Sequence, residues 1–68
     1  MNKEIILQDD FLFAQKNNNE VIIVFFTNGS HIEGKIRNFD KYTLLLETEN
    51  QHVLIFKHAI ATITVKKP

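Results

Sequence analysis

The stretch VIIVFFTNGSHIEGKIRNFD, residues 21 to 40, decides the fold of this chain. Val21 to Thr27 reads as the first strand, since Val21, Ile22, Ile23, Val24, Phe25 and Phe26 are β-branched or aromatic, the residue types enriched on pleated strands. Asn28 and Gly29 follow, and this pair predicts a tight hairpin, because a type I′ turn needs positive φ at both centres. Ser30 to Phe39 reads as a second, longer strand. Gly34 lies inside it, where a missing side chain marks a bulge, a sharp bend or a close backbone approach. Such a bend lets one long strand serve both halves of a small barrel.

Working outward, Asp40 and Lys41 turn the chain into a strand over 42 to 48, and Glu49 and Asn50 turn it into another over 51 to 56. Lys57 and His58 then lead into a last strand over 59 to 65. Upstream, residues 8 to 16 predict one short helix. Asp9 and Asp10 stand where acids favour a helix N-terminus, and Leu7, Phe11 and Ala14 supply apolar spacing at i, i+4 and i+7, with Leu12 beside them. Asn17, Asn18 and Asn19 end it. The chain is therefore mainly β, a helix followed by five antiparallel strands, and periodicity alone leaves open which small barrel they make, an OB-fold included.

Sixty-eight residues form a single domain, 1–68, with 1–6 and 66–68 as expected flexible ends. A chain this short buries only about 60% of the surface its unfolded form exposes. Disulfides cannot help, since there is no cysteine, and His31, His52 and His58 lie far apart with no thiolates to complete a metal site. Self-assembly is the remaining route to stability. No apolar run nears the ~20 residues needed to cross a bilayer, and the first residues lack a signal-peptide plan, so the expected place is the cytoplasm, away from any membrane.

Eight basic and eight acidic side chains cancel. There is no global field for a polyanion, so any basic footprint must be local. Lys16 lies in the N-terminal segment, Lys35 and Arg37 in the second strand, Lys41 and Lys57 beside turns, and Lys66 and Lys67 in the tail. Nothing supports catalysis: there is no nucleophile and base at recognisable spacing, no glycine-rich phosphate loop and no metal motif. No cofactor is expected. Asp9, Asp10 and Asp40 stand next to helix or turn starts, where capping and turn hydrogen bonds are their ordinary occupation.

The first strand is apolar on both faces, where an antiparallel strand with one wet face would alternate. Helix packing on one side and core on the other would explain this; so would a ligand-accepting face carrying Phe25. Leu54, Ile55 and Phe56, with Ile60 and Ile63, would leave sticky edges on a lone subunit.

The segment KHAIATI, residues 57 to 63, sets a cation and an imidazole between two apolar runs. Together with Asn28 and Gly29, with Phe39, Asp40, Lys41 and Tyr42, and with LQDDFL at 7 to 12, it resembles Hfq, the bacterial Sm-like RNA chaperone family, over roughly Leu7 to Val65. The resemblance implies an Sm-like fold, a strongly bent five-stranded antiparallel sheet or open barrel behind an N-terminal helix. It further implies a homohexameric ring in which the fourth strand of one subunit pairs with the fifth of the next.

What the resemblance implies for binding falls on three surfaces. Gln8, Lys41, Tyr42, Lys57 and His58 match a proximal face that receives uridine-rich RNA ends around the pore. Tyr42 would stack on a base, a contact worth ~1 to 3 kcal/mol. Lys57 would donate to a uracil carbonyl, Gln8 would read a polar base edge, and His58 would donate to phosphate or ribose. Lys41 replaces a glutamine of the best-known relatives. Phe25, Asn28, Gly29, Ser30, His31, Ile32, Glu33 and Thr62 match a distal face that holds adenine-rich tracts, with Phe25 and Ile32 suited to base packing. Ser30 is small there, His31 stands where lysine is usual and Glu33 brings an anion close to RNA, so adenine binding should be weaker or altered. Lys16 and Phe39 match a lateral rim, depleted of the arginines that relatives use in annealing.

The implied function is an RNA chaperone acting after transcription on small regulatory RNA and mRNA. Two rivals stand beside it, an oligomeric scaffold with weak or no RNA affinity and a small ribonuclease.

Overall fold

The computed structural model describes residues 3 to 66, with side chains from residue 9 onward. Helix α1 spans Lys3–Asn17, followed by β1 Val21–Phe26, β2 His31–Phe39, β3 Thr43–Glu47, β4 His52–Phe56, a 3-10 turn Lys57–Ala59 and β5 Ile60–Val65. Met1, Asn2, Lys67 and Pro68, from the ends expected to be flexible, lie outside the described residues.

The helix starts five residues earlier than the acids at 9 and 10 suggested. No glycine or proline interrupts Lys3 to Leu7, so Asp9 and Asp10 fall in mid-helix. Its other end is where the asparagines predict. Asn19 takes a left-handed φ of 56°. The Glu20 N–H donates to the Gln15 carbonyl at 3.1 Å and the Asn19 N–H to the Lys16 carbonyl at 3.2 Å, the paired bonds of a Schellman stop.

The sheet runs β4-β3-β2-β1-β5, every pairing antiparallel. Among the described residues β4 pairs only with β3 and β5 only with β1, so the barrel stays open with two free edges. Register shifts bend the strands: Arg37 is the extra residue where β2 meets β3, and Ala61 where β5 meets β1. Gly34 adds a close approach. A Cβ built there would sit 2.5 Å from the Glu47 carbonyl oxygen and 2.9 Å from Leu46 Cγ.

The hairpin at Asn28 differs from the type I′ turn expected. Gly29 has φ 92°, but Asn28 does not have a positive φ. The Gly29 N–H donates to the Phe26 carbonyl at 3.0 Å and the Phe26 N–H to the Ser30 carbonyl at 2.9 Å, giving a three-residue loop closed by a left-handed glycine. Asn28 Oδ1 meanwhile accepts from the Ser30 N–H at 3.0 Å and the Ser30 hydroxyl at 2.7 Å. An asparagine that bonds forward to the backbone favours the wider loop.

Leu12, Ile22, Val24, Ile36, Leu44, Leu46 and Ile55 form the buried core. Alternate residues of β1 to β4 point inward, and Leu12 reaches in from α1. The helix therefore covers one side of the first strand's sheet, while Phe25 stays partly exposed on the other. No helix among the described residues is long and apolar enough to cross a membrane.

Candidate nucleic-acid interface

Four of the five proximal candidates gather where the β2–β3 turn meets the 3-10 turn. Asp40 organises that corner. Its Oδ1 accepts from the Tyr42 N–H at 2.9 Å, the Thr43 N–H at 2.7 Å and the Thr43 hydroxyl at 2.7 Å. The Thr43 hydroxyl first, then the two N–H groups, and last the Lys57 charge hold its carboxyl below the usual carboxylate range. The Lys57 N–H then donates to the Tyr42 carbonyl at 2.8 Å and ties the two turns together.

Tyr42 emerges from this corner with 68% of its surface exposed. The Lys41 ammonium lies 5.4 Å from its ring centre. An exposed aromatic face beside a cation is chemically suited to an unstacked base and its phosphate. Lys57 stands otherwise: its side chain is only 11% exposed, its ammonium 5.4 Å from the Phe39 ring centre and 3.9 Å from Asp9 Oδ1. Within one chain it is held between helix and sheet. His58 is exposed and stacks on Phe56, ring centres 6.0 Å apart. Gln8 belongs to α1, but its side chain lies outside the described residues.

The distal candidates divide by strand parity. Phe25 pairs with His31 on β2 and with Thr62 on β5, and the Phe25 and His31 rings lie 5.6 Å apart. Glu33 is two residues along the same face. Ile32, matched to base packing, pairs instead with buried Val24 and packs against the core. Alternation along a strand makes Phe25 and Ile32 face opposite ways. Asn28, Gly29 and Ser30 form the exposed hairpin tip, with the Asn28 carbonyl oxygen already engaged by Ser30.

The rim candidates also separate. Lys16 sits half-buried in the last turn of α1, while Phe39 lies beneath the Lys57 ammonium and belongs to the proximal corner. Phe13, overlooked in the sequence because it falls within an apolar helix, is 56% exposed one turn before Lys16. Asp9 and Thr43 were also missed as partners of the corner. The Asp40-x-x-Thr43 spacing was the available signal, since an Asx turn needs an acceptor followed by free N–H groups.

An open groove of about 760 Å³ between β1, β2 and the β3–β4 turn is lined by Glu33, Glu47 and Glu49, with Lys35 and Gly34. Glu33 and Glu47 are paired with Lys66 and Arg37, and Glu49 offsets Lys35, so the groove offers a polyanion no excess of positive charge.

The model of the Hfq protein family matches residues 7–68. RNA-binding protein Hfq of Bacillus velezensis is 43% identical over 65 residues, spanning 96% of this chain and 89% of that protein. The protein of the same name from Clostridium beijerinckii is 44% identical over 62 residues, spanning 91% and 76%. A crystal structure of Hfq, described as a pleiotropic translational regulator, superposes with a TM-score of 0.84 at 42% identity, covering 87% of this chain and 98% of that one. An Hfq protein from Anabaena sp. reaches a TM-score of 0.82 at 18% identity, covering 90% and 98%, a likeness of fold alone. With the family model matching residues 7–68, relatives above 40% identity along nearly the whole chain, and the helix and open five-stranded sheet in place, this chain belongs to the Hfq family.

Proposed function

We propose that this chain closes into a homohexameric ring that binds single-stranded RNA and acts as an RNA chaperone on small regulatory RNA and mRNA in the cytoplasm. The observation that carries this reading is the exposed Tyr42 ring, fixed by Asp40 and Lys57 and flanked by Lys41, in a chain whose relatives are named RNA-binding proteins. The two free edges support ring closure: β4 and β5 lie at opposite borders of one sheet, so pairing the β4 of each subunit with the β5 of the next would use both. Repetition of Lys41, Tyr42, Lys57, His58 and Gln8 around the pore then turns weak contacts for uridine-rich ends into avidity. The Phe25 face, with Asn28, Gly29, Ser30, His31, Glu33 and Thr62, takes adenine-rich tracts. Ile32 backs that face from the core side.

No substrate is turned over in this reading. Holding RNA unstacked shifts its folding and pairing equilibria. Lys16 alone makes a poor rim, because counterion release scales with the number of phosphates neutralised.

The Lys57 ammonium, engaged by Asp9 and Phe39, favours a second reading, a ring-shaped scaffold with little RNA affinity. Titration with fluorescent oligouridylate separates the two. A binder loses affinity linearly in log salt, with a slope of about 0.7 per neutralised phosphate, and Tyr42→Ala weakens it by about tenfold or more. Weak, salt-insensitive signals identical in both proteins establish the scaffold.

A further inference from the structure

We propose that Lys66 and Glu33 form a charge-balancing latch across the sheet that keeps the Phe25 face acceptable to a polyanion, making Lys66 a determinant of affinity on that face. The inference rests on the assignment of adenine-rich RNA to the Phe25 face.

Strand register places the parts. Phe25 pairs with His31 and Thr62, and Ile23, two residues earlier, pairs with Glu33 and Thr64. Val21, two residues earlier again, pairs with Lys35. These rows share one outward face. Lys66 lies one residue beyond β5, yet its N–H donates to the Val21 carbonyl at 2.8 Å, so its backbone is clamped as though the strand continued. From there its ammonium reaches over β1 and donates to Glu33 Oε1 at 3.0 Å. The tail lysine is thus a fixed part of the face.

Both partners remain well exposed, Lys66 at 54% and Glu33 at 43%, and a pair so wet contributes little to folding. Its effect lies in the local field. The charged or titratable groups along these rows are His31, Glu33 and Lys35 on β2 and Lys66 beyond β5; Val21, Ile23, Phe25, Thr62 and Thr64 bring none. Glu47, paired with Lys35 in the next strand, is engaged by Arg37 at 3.2 Å and approached by His52 at 3.9 Å. With the latch closed, Glu33 is balanced and Lys35 supplies the face's net charge. Without Lys66, Glu33 cancels Lys35 and stands one row from the Phe25 and His31 rings, where it repels incoming phosphates.

Four full-length proteins test this: wild type, Lys66→Gln, Glu33→Gln and the double variant, each titrated with fluorescent oligoadenylate at low salt. Lys66→Gln is expected to weaken binding about three- to tenfold, Glu33→Gln to strengthen it by a similar factor, and the double variant to return close to wild type. The differences should shrink as salt shortens the screening length. Oligouridylate affinity of Lys66→Gln, measured in parallel, should stay at the wild-type value. Unchanged oligoadenylate binding in Lys66→Gln overturns the latch, as does a double variant as weak as Lys66→Gln, which would make Lys66 a direct RNA contact. Equal losses on both oligonucleotides would locate the damage in the assembly and also overturn it. Wild type that holds oligouridylate but not oligoadenylate instead overturns the assignment of the face, and the latch with it.

Discussion

Asp40 shows how a single acid can fix the shape of an exposed corner. Its carboxylate takes three hydrogen bonds from Tyr42 and Thr43, and these favour the ionised form in the folded state only. The folded pKa is below the unfolded one, so the unfolded chain binds the extra proton and stability rises with pH across that window. Asp40 therefore contributes fully above about pH 4, its unfolded value, and its contribution fades as pH falls through the folded one. Asp40→Ala should lower the urea midpoint at about pH 7, by a margin that narrows progressively as pH falls below about 4. A gap that persists in acid would show that the charge is not what matters. The same substitution should loosen Tyr42 and reduce oligouridylate affinity. Lys57 teaches the converse: its motif was readable, but its burial between Asp9 and Phe39 depends on where the helix docks, which no local pattern encodes.

Among the elements, the strands were legible to within a residue because burial on one face enforces a period of two, as the buried Ile22 and Val24 or Leu44 and Leu46 show. Helix start and turn type were not. Asp9 and Asp10 resemble N-terminal residues anywhere in a helix, and Asn28 Gly29 specifies a hairpin without specifying how many residues close it. Similarly, Ile32 was placed with Phe25 by family likeness, while its pairing with Val24 sends it to the core. Of the bulge, sharp bend or close approach that Gly34 left open, the structure shows the close approach, and Gly34→Ala should cost about 1 to 3 kcal/mol in chemical denaturation, because the new methyl meets the Glu47 backbone rather than a side chain that can move. Leu12 is the helix's buried anchor. Leu12→Ala should cost about 2 to 5 kcal/mol, read by the same measurement.

On the scale of the whole molecule, the sheet ends in two unlike borders, and the proposed ring would use both. Leu54 and Phe56, both more than half exposed, lie on the free strand β4. A lysine at Leu54 would be tolerated by a lone chain yet would meet apolar surface wherever β4 is covered by a neighbour. In sedimentation, wild type should run near six times 7.9 kDa and Leu54→Lys near the single-chain mass. Equal masses would show that this border is not an interface. In the proposed ring the two borders are unlike, so each subunit would act as a bifunctional monomer in the polymer chemist's sense. A variant spoiled at β4 alone keeps an intact β5 and becomes a chain stopper: mixed with wild-type subunits during refolding, it would cap growing arcs, so a minority dose would deplete complete rings well beyond its own share.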